Sequence, residues 1–160
     1  MKHLIIIVLV FFAYACKTQQ NAMQTIKIDD KFEVSAKKVY PAGEKISISI
    51  KNISEKELTI FRPMEKFFYK KEGEEWKRVN IFYCPCDASC PPPPEKLLLK
   101  GDEKYKIIWD QKEDSCGEKR INGVRETIEK QVKEGTYRVE IKYASTTGKH
   151  EKYFYEFQIQ

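Results

Sequence analysis

Four cysteines beyond the first sixteen residues are the side chains best suited to chemistry in this sequence: Cys84, Cys86, Cys90 and Cys116. In an oxidising compartment, an even number of cysteines is most simply two disulfide bonds. A Cys84–Cys86 bond would close a very tight ring and is disfavoured. Two pairings stay open: Cys86–Cys90 with Cys84–Cys116, or Cys84–Cys90 with Cys86–Cys116. Either pairing ties the cysteine-rich segment to the region after Trp109.

A metal site is the alternative use of these cysteines. Thiolates at Cys84, Cys86 and Cys90 are soft ligands suited to Cu(I) or Zn(II). Their spacing is not that of a common zinc site, and His150 is the only histidine beyond the leader. Disulfides are therefore preferred, with a redox-active thiol pair as a third alternative, and no metal or cofactor is assigned.

The prolines Pro91, Pro92, Pro93 and Pro94 follow directly after Cys90. Proline fixes its own backbone angle and cannot donate a ladder hydrogen bond, so the run predicts a stiff, extended strap. Disulfides and prolines together would preorganise residues 84–95, which makes this loop the predicted contact surface for a protein partner.

An enzyme is the least favoured class of function. Nucleophilic catalysis needs a base beside the nucleophile, and His150 lies in a Gly-Lys-His-Glu turn with no evident partner. The many carboxylates resemble strand-surface charges, and none is paired with another as an acid and a base. We therefore expect no catalytic residue.

The first sixteen residues have the pattern of a processing signal. Lys2 supplies a short positive start, the apolar run Leu4 to Phe12 follows, and Ala13-Tyr14-Ala15 leads into Cys16. This apolar run is too short to cross a bilayer as a helix, which takes about 20 residues. A positive start, a short apolar stretch and a small-residue end are typical of a secretory signal.

This leader resembles the bacterial lipoprotein signal and its lipobox, with Ala13 where the box more often has leucine. The resemblance implies that residues 1–15 are removed and that Cys16 carries the lipid. Residues 16–24 would then form the lipidated end and a polar tether, and residues 25–160 one domain. It also implies a place in the bacterial cell envelope, on the periplasmic side of the outer membrane, with membrane lipid as a partner.

Charge is spread through the chain rather than concentrated. The sequence has 29 basic and 24 acidic residues, interleaved as in Lys-Lys-Glu-Gly-Glu-Glu at residues 70–75. No segment combines clustered basic charge with stacking aromatics, as a nucleic-acid groove would require. Nucleic acid is therefore not an expected partner.

Alternation with period two dominates the sequence after residue 24. Phe32, Val34 and Ala36 alternate with polar residues, and so do several further sets. Those sets are Ile46, Ile48 and Ile50; Tyr105, Ile107 and Trp109; Tyr137, Val139, Ile141 and Tyr143; and Tyr153, Tyr155, Phe157 and Ile159. Trp76, Val79 and Ile81 predict a strand that runs into the cysteine cluster. Short alternating strands separated by Gly, Pro and Asn turns predict an all-β, antiparallel immunoglobulin-like sandwich.

One segment fits two structures. Val124, Ile128 and Val132 are spaced by four and would share one face of a short helix. The same positions also share one face of a strand. An extended segment is preferred, because Gly135-Thr136-Tyr137 follows it as a hairpin-like turn would.

A second resemblance concerns residues 30–145 in outline. Leu99-Lys100-Gly101-Asp102-Glu103, then Trp109-Asp110, then Gly135-Thr136-Tyr137-Arg138-Val139 are similar to elements of the bacterial intracellular proteinase inhibitor family. The resemblance implies the sandwich and, as an alternative function, protease inhibition. The cysteine–proline insertion departs from that family's pattern. The expected function is a non-enzymatic binding module, with inhibition and thiolate metal binding as alternatives.

Overall fold

The computed structural model describes residues 22–144 and 148–160. The described residues form thirteen β-strands: β1 (Met23–Ile28), β2 (Phe32–Lys37), β3 (Val39–Tyr40), β4 (Ile46–Asn52), β5 (Leu58–Phe61), β6 (Phe68–Glu72), β7 (Glu75–Arg78), β8 (Lys96–Leu99), β9 (Lys104–Trp109), β10 (Lys112–Ile121), β11 (Val124–Gln131), β12 (Gly135–Ala144) and β13 (His150–Ile159). Since β1 begins at Met23, the last two residues of the predicted tether lie in a sheet. The predicted leader and Cys16 lie outside the described residues.

Two sheets form the body of the domain. The first has the strand order β1-β2-β4-β9, and the second has the order β3-β13-β12-β5-β8, with β6 added to β12 and β7 to β6. Neighbouring strands are antiparallel, except that β3 pairs with the end of β13 in parallel. The predicted all-β, immunoglobulin-like sandwich is confirmed, with this one parallel pair as a departure from a purely antiparallel arrangement.

The core lies between the two sheets, as the alternation predicts. In β2 and β4 every second side chain is buried and its neighbours are half-buried. The buried side chains are apolar except for that of Asn52 at the end of β4. Aromatic rings meet across the sandwich: Phe32 contacts Tyr143 with ring centroids 4.8 Å apart, and Phe68 contacts Trp109 at 4.4 Å. Each fully buried large side chain of this kind contributes roughly 1.5–3 kcal/mol relative to exposure.

Strands β10 and β11 form a hairpin with a sheet of its own. Its two turn residues, Asn122 and Gly123, have φ angles of 54° and 84°. Two positive φ angles in a two-residue loop match the twist of the flanking strands. The preference for an extended segment over residues 124–132 is confirmed through Gln131, where β11 ends. The register shifts between Cys116 and Arg120, so the hairpin is bulged beside a cysteine.

Gln111 joins the hairpin to the sandwich. It is fully buried and has a φ of 61°. Its amide nitrogen donates to the carbonyls of Pro41 at 2.9 Å and Glu44 at 2.7 Å, and its oxygen accepts from the Gly43 N–H at 2.8 Å. Its backbone carbonyl accepts from the Val132 N–H at 2.9 Å. One buried side chain thereby fixes the base of the hairpin against the turn after β3.

Tyr137 fixes the entry into β12. Its hydroxyl donates to the backbone carbonyl of Lys133, four residues upstream. Immunoglobulin-like domains use a tyrosine in the same way at the start of a central strand. Burial raises the pKa of Tyr137 to about 12, so the hydroxyl keeps its proton and donates throughout the physiological pH range.

Candidate functional site

The predicted contact loop, residues 84–95, is part of the segment between β7 and β8, which is here named the Cys-Pro loop (residues 79–95). Its cysteines form the disulfides Cys84–Cys90 and Cys86–Cys116, which is one of the two pairings that the sequence left open. The first bond closes a short ring within the loop. The second crosses to β10 of the hairpin and fixes the loop to another part of the fold.

Disulfide formation changes the chemistry of the predicted thiolate ligands. The sulfurs of Cys84, Cys86 and Cys90 are all engaged in these bonds, and a disulfide sulfur is not a thiolate. Within residues 22–144 and 148–160, no group of three or more His, Cys, Asp or Glu side chains is placed to hold a metal ion. A thiolate site would therefore exist only in a reduced form of the loop.

An ion pair reinforces the second disulfide. The Arg125 guanidinium donates two hydrogen bonds of 2.8 Å to the two carboxylate oxygens of Asp87, and Arg120 lies 3.4 Å from the same carboxylate. This two-pronged geometry is the strong form of an arginine–carboxylate pair. The hydrogen bond from Arg125 lowers the pKa of Asp87 below its ordinary value. Next to it, the Cys86 N–H donates to the Thr127 hydroxyl at 2.9 Å.

The first residues of the loop follow the hairpin instead of continuing the sheet. The Asp114 N–H donates to the Asn80 carbonyl at 2.7 Å, and the Asp114 carboxylate accepts from the Phe82 N–H at 2.7 Å. The expectation that Val79 and Ile81 continue the strand of Trp76 is wrong, because β7 ends at Arg78. The bonds to Asp114 replace the ladder that a longer strand would have made.

Three apolar side chains are exposed where the loop meets the segment after β5. Met64 is 52% exposed, Phe82 38% and Tyr83 40%. They line a shallow cavity of about 260 Å³ that Ile81 and Arg78 also border. Aromatic residues and methionine are enriched at protein interfaces, where they supply most of the apolar contact. We name Met64, Phe82 and Tyr83 the apolar rim.

The proline run borders a larger cavity on the other side of Glu65. This cavity has a volume of about 510 Å³, and Pro92, Pro93 and Pro94 form part of its wall. Pro91, Pro92 and Pro94 are exposed and Pro93 is half-buried. The Arg62 N–H donates to the Glu95 carbonyl at 2.7 Å and so holds the end of the run against the segment after β5.

His150 lies in the same cavity and has a structural contact there. Its ring stacks on Phe61 with centroids 4.2 Å apart and an angle of 20° between the planes. In the described part of the chain, no serine, threonine or cysteine side chain hydrogen-bonds to His150. The stacked pair contributes a flat aromatic surface to the cavity.

The outer face of the second sheet is more tightly packed than alternation predicts. Glu140 occupies a solvent-facing position of β12 but is only 5% exposed. It accepts a hydrogen bond of 2.6 Å from the Tyr69 hydroxyl, and the Lys152 ammonium lies 2.9 Å away. Burial raises the pKa of Glu140, but these hydrogen bonds outweigh burial and the pKa falls below its ordinary value. Arg138 lies over the rings of Trp76 and Phe154 at 4.4 and 4.2 Å.

Among the described residues, no helix is long and apolar enough to cross a membrane.

Comparison with known proteins finds similar solved structures but no matching family. No family model matches the sequence, and no curated protein matches it. A solved structure similar to this chain is the ASH / PapD-like domain of human CEP192 (PapD-like domain 7), at 14% identity and a TM-score of 0.37. The similarity covers 85% of this chain and 87% of that chain. The strands and the core of the chain itself define its fold.

Proposed function

We propose that this chain is a non-enzymatic binding module that contacts a protein partner through the Cys-Pro loop and the adjoining apolar rim. The observation that carries the proposal is the exposure of Phe82 and Tyr83 on a loop with two disulfides and of Met64 beside it. Apolar side chains on a mobile loop contribute less binding free energy, because binding must first order the loop. Here the covalent bonds and the Asp87–Arg125 pair hold the loop before a partner arrives.

The size of the surface fits a partner of protein type. Two cavities of about 260 and 510 Å³ flank Glu65, one bordered by the apolar rim and the other by prolines. Aromatic anchors next to concave sites are typical of the residues that dominate binding energy at interfaces. The proline wall offers a flat, rigid surface that loses no backbone freedom on binding.

Site-specific photocrosslinking in the native cell tests this proposal. A photoreactive benzoylphenylalanine at position 83 should give one discrete crosslinked species, and the variant Phe82→Ser should abolish it. The matched control is position 108, since Ile108 is an apolar residue 49% exposed on β9. The same crosslinked species from both positions, or no species from position 83, would contradict the proposal.

The proposed anchor is the lipid on Cys16. The expected result is incorporation of an alkyne-labelled fatty acid into the full chain, and its loss in Cys16→Ser together with release from the membrane fraction. Cys90→Ser is the matched control, because it removes a cysteine of the domain. Labelling that persists in Cys16→Ser would overturn the anchor, and with it the proposed position on the periplasmic side of the outer membrane.

Protease inhibition is the second candidate. An inhibitor needs an exposed loop in extended form. Three prolines of the run are exposed, the Cys84–Cys90 bond lies directly before them, and proline's fixed φ favours an extended chain. Titration of the full chain against a panel of serine and cysteine proteases should then show stoichiometric inhibition that is lost when Pro92 and Pro94 are replaced by glycine. Cleavage of the loop without inhibition would discard this candidate.

A further inference from the structure

A basic cavity lies on the core-facing side of β6 and β7, where the base of the β10–β11 hairpin covers it. It has a volume of about 290 Å³ and is here named the hairpin-base cavity. Val79 and Val132, which are 5% and 8% exposed, and the phenol ring of Tyr137 supply its apolar lining. It is separate from the apolar rim and from the proline wall.

Four lysines from separate segments line this cavity: Lys70, Lys77, Lys130 and Lys133. Arg78 also borders it, but its guanidinium lies on the other face of the sheet, 4.9 Å from the centroid of the Phe67 ring. Only two carboxylates, those of Glu72 and Glu113, line it with them. Two positive charges therefore remain after the carboxylates are counted. Positive charge in a concave site with apolar walls is focused, which raises the local concentration of anions.

The strand register places two of these lysines against each other. Lys70 of β6 lies directly opposite Lys77 of β7, and Tyr137 of β12 lies opposite Lys70 on its other side. Like charges directly opposite each other on a sheet are destabilising. Glu72 offsets part of this repulsion, with its carboxylate 2.7 Å from the Lys77 ammonium. Among the described residues, Lys70 has no carboxylate within ion-pair distance.

Lys70 is also held toward the cavity rather than free to turn away. It follows the buried Phe68 by two residues and so lies on the same side of β6. Its ammonium lies 5.7 Å from the centroid of the Tyr137 ring. Its stem crosses Gly135, where an added Cβ would come within 3.3 Å of the lysine Cε. The glycine leaves room for this lysine to lie across the start of β12.

We propose that the hairpin-base cavity binds a multiply charged oxyanion such as a phosphate group. A bound anion would accept charge-assisted hydrogen bonds from the lysine ammonium groups and relieve the repulsion between the opposed lysines. This site is independent of the protein partner proposed for the Cys-Pro loop.

Calorimetric titration of the full chain with sodium pyrophosphate at constant ionic strength tests the site. The wild type should show saturable binding, and Lys70→Gln with Lys77→Gln should bind at least about tenfold more weakly. The matched control is Lys104→Gln with Lys106→Gln, which removes two exposed lysines of β9 and should bind like the wild type. Lys130→Gln with Lys133→Gln repeats the test from the hairpin side. Equal loss in the cavity and control variants, or no saturable binding, would overturn the proposal.

Thermal unfolding without added anion gives an independent readout. Lys70→Gln removes one of two opposed like charges, so its melting temperature should rise above that of the wild type. Pyrophosphate should raise the melting temperature of the wild type by more than that of Lys70→Gln. A lower melting temperature for Lys70→Gln in the absence of anion would contradict the argument from repulsion.

The phosphate could belong to a lipid headgroup or to a soluble molecule, and reconstitution separates these sources. The full chain is placed in phosphatidylcholine vesicles with or without anionic phosphatidylglycerol. Weaker pyrophosphate binding with phosphatidylglycerol present, dependent on Lys70 and Lys77, assigns the site to a headgroup. Equal binding in both vesicles assigns it to a soluble phosphate compound.

Discussion

Removing the disulfide between the Cys-Pro loop and the hairpin should cost more stability than removing the disulfide within the loop. The bond Cys86–Cys116 spans 30 residues, whereas Cys84–Cys90 spans 6. The chain-entropy relation gives about 3.6 kcal/mol for the first loop and about 2.2 kcal/mol for the second, because the longer loop restricts the unfolded chain more. We therefore expect Cys86→Ala with Cys116→Ala to lose about 1.4 kcal/mol more than Cys84→Ala with Cys90→Ala.

Urea and thermal unfolding, followed by far-ultraviolet circular dichroism, measure the free energy of unfolding and the melting temperature that each double variant loses. For a chain of this size, each kcal/mol lowers the melting temperature by about 2–4 °C, so the first pair of substitutions should lower it by about 7–14 °C. The dependence of the unfolding free energy on urea should also steepen as the cross-link is removed, since the unfolded chain exposes more surface. Hydrogen exchange of residues 79–95 reports whether the loop is released before the sandwich unfolds.

The two double variants are matched in composition. Both double variants remove two sulfur atoms and leave two alanines, so they differ mainly in the length of chain that the disulfide closed. Equal losses, or a larger loss for the short loop, would show that restriction of the unfolded chain is not the source of the stabilisation. Loss of loop protection with no change in unfolding free energy would show that the loop and the sandwich unfold as separate units.

Three further predictions concern single side chains. Because the pKa of Asp87 is lowered, its ion pair with Arg125 stabilises the folded loop above the ordinary carboxyl pKa, and this stabilisation is lost as the pH falls through the folded-state pKa. The Nε–H resonance of Arg125 in the NMR spectrum should shift over that pH range and stay constant in Asp87→Asn. Gln111→Leu should lower the free energy of unfolding by about 2–4 kcal/mol in urea, because buried backbone groups lose their partners, whereas Gln131→Leu at the exposed end of β11 should change it by less than about 1 kcal/mol. Gly123→Val should cost about 1–2 kcal/mol by calorimetry, because a β-branched residue tolerates the φ of 84° poorly; an unchanged melting temperature would refute this.

The strands of the sandwich were predictable because burial repeats with the period of the backbone. Successive side chains of a strand point to opposite faces, so Phe32, Val34 and Ala36 indicate one buried face without knowledge of the partner strand. The β10–β11 hairpin was not predicted, since only residues 124–132 were expected to be extended, although its strongest signal is local. Asn122-Gly123 between Ile121 and Val124 is the common two-residue hairpin turn, and it would have indicated both β10 and β11.

Other features of the domain depend on contacts between distant segments. An even number of cysteines predicts two disulfides, but the choice between two pairings depends on which sulfur of the loop lies beside Cys116. The roles of Gln111 and Glu140 likewise have no local signal. A buried polar side chain is stabilised by particular partners, and those partners come from other strands.

The sequence by itself determined the strand pattern, the even set of cysteines and the stiff proline run, because each depends on residues adjacent in the chain. Only the tertiary structure brought the charges of residues 70, 77, 130 and 133 to one cavity. In the sequence these charges are interleaved with carboxylates and look like an ordinary solvated surface. Strand register and the position of the hairpin decide which charges share a cavity, and both are set by hydrogen bonds and packing between segments far apart in the chain.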